Sequence, residues 1–332
     1  MPVWPSRTGK FQMRMLPKVL REITNVAVSL NARWGKLTLH VVRWLVPIFL
    51  LAFVGYSLTQ AGWGHVWDAR PRALGFYLVL LLQFFIQPIA DLLIYRNLLE
   101  IGRPLPLSIM LRKRFLNTVM LDYSGEAYFF FWAKRKLDLK KGILLHAVKD
   151  SNVLSAGAGL AILCLILLAL VASGDVKLPA FLPAKLWTLA SIGSLPIVLC
   201  LALVIGGHRV TALSRVEIAS TFAIHIARSI AVLSLEFVLW WLSGALPSTL
   251  VCLEFVALRL LLTRLPFIPS KDLLFVGVGM AAAGLMDLSA PKVAAVLVTM
   301  TAVNQLQELV LVGLPWLFEQ FQNRHRAVEN ES

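Results

Sequence analysis

Apolar residues in this chain do not alternate with polar ones. They run in blocks of about 20, the length that carries an α-helix across a hydrocarbon layer about 30 Å thick. Six blocks reach crossing length: 41–58, 74–95, 153–172, 186–205, 221–242 and 293–318. Backbone groups in lipid have no water to bond, so such blocks form helices rather than open strands. The pattern predicts an all-α, polytopic integral membrane protein with six to eight transmembrane helices and one or two re-entrant or broken segments.

Two regions interrupt the count. Residues 115–132 are semi-apolar and lie between Arg112-Lys113-Arg114 and Lys134-Arg135-Lys136. If both basic flanks lie on one side of the membrane, this stretch dips in and returns; the alternative is an interfacial loop anchored by Tyr123, Tyr128 and Trp132. Residues 248–264 and 272–288 are at the lower limit for spanning and are joined by a segment holding Pro266 and Pro269. They read either as two short spans or as one re-entrant hairpin. Sliding the chain by about 145 residues lays the span at 74 on the one at 221, the first broken region on the second, and the span at 153 on the last. An odd number of crossings separates the copies, which predicts an inverted repeat of the kind that places transporter sites at broken segments.

Composition fits this reading: 58% of the 332 residues are hydrophobic and 15% charged, with a mean hydropathy of +0.75. A formal net charge of +14 would suggest nucleic acid in a soluble protein. Here most of the 32 basic residues fall on one side of the predicted spans, as the positive-inside rule requires. The expected organisation is a basic amphipathic cytoplasmic arm at 1–40, a transmembrane domain at 41–318 and a cytoplasmic tail at 319–332. The membrane is then the cell's inner (plasma) membrane, with both termini cytoplasmic. No cleavable leader opens the sequence, so the first span is expected to remain. Cys164, Cys200 and Cys252 are far apart and lack metal-ligand spacing. No cofactor, metal or nucleic-acid partner is expected, and the absence of hydrolase, Walker and zinc signatures argues against an enzyme.

Charged groups at bilayer depth cost about 2.5–3.5 kcal/mol each on insertion scales, so each needs a partner or a wet cavity. Asp91, His225, Arg228, Glu236, Glu254, Arg259 and Glu308 fall inside apolar blocks. Arg228 and Glu236 share a helix face but are too far apart to pair, so their partners must lie on other helices. Glu254 and Arg259 are close enough to meet loosely. These groups read as interhelical ion pairs or as a polar path for a headgroup or proton. Arg264 and Lys271 bracket the proline break and suit a lipid phosphate; a cytoplasmic loop is the alternative. Asp150 is a helix cap or a site group.

Asn117, the Gly125-Glu126 pair with its aromatic run, the basic stretch and then Asp150 at the head of a long apolar helix resemble the flippase-like membrane family that includes the transmembrane region of lysylphosphatidylglycerol synthase. The run from Pro266 to Gly279 resembles that family's broken segment near its C-terminus. The resemblance implies that Asn117, Gly125, Glu126 and Asp150, with Pro269, Lys271 and Asp272, contact a lipid headgroup. One departure is that the first base after Gly125-Glu126 is Lys134, later than the family's usual arginine. The soluble aminoacyl-transferase domain of the synthases has no counterpart in these 332 residues. The expected function is therefore binding and flipping of a phospholipid or polyprenyl-linked lipid. The alternatives are a membrane subunit assisting a separately encoded glycosyl- or aminoacyl-transferase, or a lipid-modifying transferase.

Overall fold

The structure is a computed structural model that describes residues 48, 51–100, 104–119, 123–137, 139–173, 213–263, 265 and 270–329. The arm at 1–40 and the crossing expected at 186–205 lie outside the described residues, as do Asp122, Arg264 and Pro269. All described helices belong to one compact unit, Leu50–Ser332, and no strand occurs among the described residues.

Residues 51–61 are helical, the end of the first predicted span. A one-and-a-half-turn helix, α1 (Trp63–Asp68), occupies the connection that follows, and α2 (Leu74–Leu98) is the first long helix described throughout. Two short helices come next, α3 (Leu107–Val119) and α4 (Ser124–Lys136), then the long α5 (Lys141–Ser173). The second half repeats this order with α6 (Arg215–Ser243), the short α7 (Thr249–Thr263) and α8 (Lys271–Leu285), and α9 (Ala290–Glu308). A π-helical turn, Leu309–Gly313, joins α9 to α10 (Leu314–Glu329). Four stretches are long and apolar enough to cross a membrane: α2, α5, α6 and Ala290–Gln322. They coincide with four of the six predicted crossings, and the chain is an all-helical, membrane-embedded protein.

Local chemistry sets several boundaries. Ser214 accepts from the Glu217 amide while the Glu217 carboxylate accepts from the Ser214 amide, a capping box that starts α6, and Gly244 at φ 60° ends it. Pro291 in the first turn of α9 costs no hydrogen bond there. Each short pair is broken by a residue in the left-handed region directly before its second helix, Tyr123 at φ 72° and Ser270 at φ 58°.

The long helices α2 and α6 lie against each other antiparallel. Gln83 reaches Glu236 while Asp91, further along α2, meets Arg228, further back on α6. The largest apolar cluster joins Phe76 and Leu80 of α2, Trp240 of α6, Phe255 of α7, Phe275 of α8 and Val293 to Leu297 of α9. Leu74, Leu78, Leu82 and Leu93 of α2 are exposed and form a stripe suited to lipid.

Two expectations change. Arg112, Lys113 and Arg114 do not stand outside the first broken region but sit inside α3, and Lys113 is 3% exposed. Asp150 is not a helix cap, because α5 begins at Lys141 and already turns helically before it. The helix α10 runs on through Glu319.

The two halves of each short pair approach closely. A Cβ on Gly125 would sit 2.0 Å from the Lys113 carbonyl oxygen, a backbone atom, whereas a Cβ on Gly279 meets side chains, Leu297 at 2.8 Å and the Phe255 ring at 3.6 Å. Gly125→Ala should therefore lower the thermal unfolding midpoint in detergent clearly more than Gly279→Ala, with a cost of about 1–3 kcal/mol or above for the former.

Candidate functional site

The first short pair is held together by the motif read from the sequence. Asn117 on α3 accepts from the Gly125 amide through Oδ1 at 2.6 Å and donates through Nδ2 to Oε2 of Glu126 at 2.9 Å. It thus caps the start of α4 from across the turn, satisfying an amide that a helix N-terminus leaves without an intrahelical partner. Ser124 donates to the Leu116 carbonyl at 2.7 Å. The need for Gly at position 125 follows, because any side chain there would push the two backbones apart.

Beneath this cap lies a buried ion network. Lys113 Nζ is 2.6 Å from Oδ2 of Asp91 on α2 and 3.0 Å from Oε1 of Glu126 on α4. Asp91 also meets Arg228 of α6 at 3.5 Å, and Arg228 donates to Ser155 of α5 at 2.9 Å. The hydroxyl of Ser151 and the Nε2 of His225 lie 3.3 Å apart in the same region. Asp150 is fully buried one residue earlier, with Lys149 Nζ 3.1 Å from its carboxylate. Tyr95 stacks near Phe129 with centroids 4.1 Å apart, and Lys113 Nζ stands 5.6 Å from the Tyr95 ring.

A second network has the same layout. Nη1 of Arg259 on α7 is 3.0 Å from both carboxylate oxygens of Glu236 on α6, and its Nη2 is 3.4 Å from Oδ1 of Asp272 at the start of α8. Gln83 of α2 donates to Glu236 at 3.1 Å. Trp240 and Phe275 make an edge contact at 6.5 Å, and Arg259 stands 5.2 Å from the Phe275 ring. Each group lies about 145 residues after one in the first network: Glu236 after Asp91, Arg259 after Lys113, Asp272 after Glu126, Trp240 after Tyr95 and Phe275 after Phe129. The contact between α2 and α6 is reciprocal in the same shift, since Arg228 follows Gln83 at that spacing and each reaches the other half's carboxylate. Such mutual pairing is what a twofold relation produces.

The residues named from sequence divide accordingly. Asn117, Gly125, Glu126, Asp91, Arg228 and His225 gather around the first network, and Glu236, Arg259 and Asp272 form the second. Arg259 pairs with Glu236 and Asp272 rather than with Glu254, because a separation of five places two residues on different helix faces. The Lys271 ammonium donates to the Thr263 carbonyl at 3.2 Å. Lys113, the cation at the centre of the first network, went unrecognised. A lysine within the run Arg112-Lys113-Arg114 looks in sequence like any other topogenic charge. No metal-ligating cluster of three or more His, Cys, Asp or Glu occurs among the described residues. No family model, curated protein or solved structure matches the chain.

Removing one member of a buried ion network leaves the others uncompensated, at a cost of about 3–5 kcal/mol. Lys113→Met should therefore lower the unfolding midpoint strongly. Lys113→Met with Glu126→Gln should lose less, because Asp91 keeps Arg228; thermal unfolding of the two variants in one detergent makes the comparison.

Proposed function

We propose that the two halves are inverted copies of one unit, and that together they bind the headgroup of a phospholipid or polyprenyl-linked lipid and carry it between leaflets. The observation behind this reading is the pair of matching buried ion networks, each built where a half-length helix pair meets a long helix. Because α2 and its counterpart α6 run antiparallel, the copies enter the membrane from opposite faces. The first short pair then opens from the cytoplasm, where its base carries Lys134, Arg135 and Lys136, and the second from the outer face. Both termini are cytoplasmic in this arrangement, and the six crossings expected from the sequence complete it.

Broken helices in inverted repeats form transporter sites because their turns bring polar backbone to bilayer depth only where a cavity or protein receives it. Here the turns at Tyr123 and Ser270 precede helix starts that present Glu126 and Asp272. A lipid is the favoured cargo because exposed leucines on the surface of α2 give an acyl chain a path while the headgroup meets the networks. The resemblance of the Asn117 to Asp150 stretch to the membrane region of lysylphosphatidylglycerol synthase supports the same cargo class. Membrane lipids are accordingly the proposed partners, and Glu126, Asp272, Asn117 and Lys271 the proposed headgroup contacts.

Purified protein in vesicles with a fluorescent phospholipid, assayed by quenching from outside, should speed exchange between leaflets. Glu126→Gln and Asp272→Asn should each slow it by on the order of tenfold, a barrier change of about 1.4 kcal/mol, in protein that is still folded at the assay temperature. Exchange no faster than in protein-free vesicles, for phospholipid and polyprenyl lipid alike, would contradict the reading.

A further inference from the structure

The correspondence between the halves fails at one buried contact. Arg114, next to Lys113 on α3, places Nε 2.8 Å from Oε1 of Glu308 on α9, and Thr118 donates to the same oxygen at 3.3 Å. The residues at the matching positions of the other half are Leu260 on α7 and Leu163 on α5, which belong to one small apolar cluster with Ile162. The same architecture is thus closed by leucines on one side and by an ion pair on the other. Since well-packed apolar residues often replace a buried ion pair with no loss of stability or with a gain, packing does not account for Arg114 and Glu308.

Glu308 has a further property. It is 1% exposed, and its second oxygen, Oε2, is buried without a hydrogen-bond donor among the described residues. A carboxylate normally fills the acceptor sites of both oxygens, and a buried one left bare is costly. The residue that follows opens the π-helical turn Leu309–Gly313, and a Cβ on Gly313 would meet the Phe115 ring of α3 at 3.3 Å. Turns of this kind recur at functional sites in helices. Glu308 therefore sits where α3, carrying Arg114, Phe115 and Thr118, bears on an irregular stretch of the last helix.

Among the described residues, the cations near the bare oxygen are engaged by other groups. On α3, Arg114 holds Oε1 and stands 4.5 Å from the Phe84 ring of α2, Lys113 turns to Asp91 and Glu126, and Arg112 pairs with Glu319 of α10. On α8, Asp272 is held by Arg259 of α7, and the Lys271 ammonium donates to the Thr263 carbonyl. The remaining titratable groups there are His65 and Asp68 of α1, Tyr77, Asp91, Tyr95 and Arg96 of α2, and Lys292 of α9 itself.

We propose that Glu308 is a proton-binding site, taking a proton on Oε2 and in doing so releasing Arg114. The step adds one proton to a carboxylate and makes a neutral acid. No other bond changes, but the charge that held Arg114 is gone, and α3 with the first short pair is freed from α9. Arg114 then stands as an uncompensated cation at bilayer depth beside that pair, a partner for an anionic headgroup. This last consequence rests on the lipid reading above; the proton site does not.

The test uses full-length protein in vesicles and needs no lipid movement. Infrared difference spectra across a stepwise pH titration should show a protonated-carboxyl carbonyl band that is absent from Glu308→Gln. In Arg114→Leu the band should appear at higher pH, by roughly one to three units, because the cation opposing protonation is removed. The paired variant Arg114→Leu with Glu308→Leu, which copies the other half, should fold, lose the band and lose any pH dependence of amide exchange in α3. A band unchanged in Glu308→Gln would overturn the proposal. So would a paired variant that fails to fold, since the ion pair would then be structural. Failure of lipid exchange with the band intact would remove the lipid reading and leave the proton site standing.

Discussion

A lysine held between two carboxylates from two other helices is the contact on which the first half depends. Lys113 joins Asp91 of α2 to Glu126 of α4 through α3, so one buried cation fixes three elements. Without it, two half-length helices would have little reason to stay in a bilayer: 13 residues each fall short of a crossing. The charges are tolerable because each is met by another, and Arg228 from the opposite half supplies the remaining counter-charge for Asp91. The backbone follows the same logic, with the Asn117 side chain serving the amide that begins α4. The arrangement that makes the pair stable also brings its charged residues to one place.

The second half solves the same problem with related chemistry. Arg259 replaces the lysine, Glu236 and Asp272 replace the aspartate and glutamate, and tryptophan stands for tyrosine. Where Arg228 serves the first network, Gln83 serves the second, so the two are alike in shape and unlike in charge. The apolar surroundings differ too: Ser151 and His225 meet in the first half, while the matching Val296 and Leu80 lie in the large apolar cluster. Among the described residues, buried polar groups gather on the side of α3, α5 and Glu308.

Much of the frame was legible. Apolar block length located the four described crossing-length helices, and the run of Asn117 to Glu126, with glycine among polar groups, marked a chain break that the structure places between α3 and α4. The shift of about 145 residues was visible in hydropathy but not in residue identity, because nearly every matched pair is a chemical substitution such as Asp91 with Glu236. Only the contacts reveal that they do the same work. Lys113 was missed because charge position along a chain reports sidedness, not depth. Three successive helical residues point in three directions about 100° apart, so Arg112, Lys113 and Arg114 reach three different partners from what looks like one basic patch. The pairing of Arg259 with Glu236 rather than Glu254 is likewise a matter of helix faces that spacing alone does not settle.

The central claim is that two like units enter the membrane from opposite faces. Single cysteines at Lys136 and Met286, the bases of the two short helix pairs, introduced one at a time on a cysteine-free background in intact cells, measure this directly with a membrane-impermeant thiol reagent. The account predicts that Met286→Cys is labelled from outside and Lys136→Cys only after the membrane is opened. Labelling of both from the same side would contradict it.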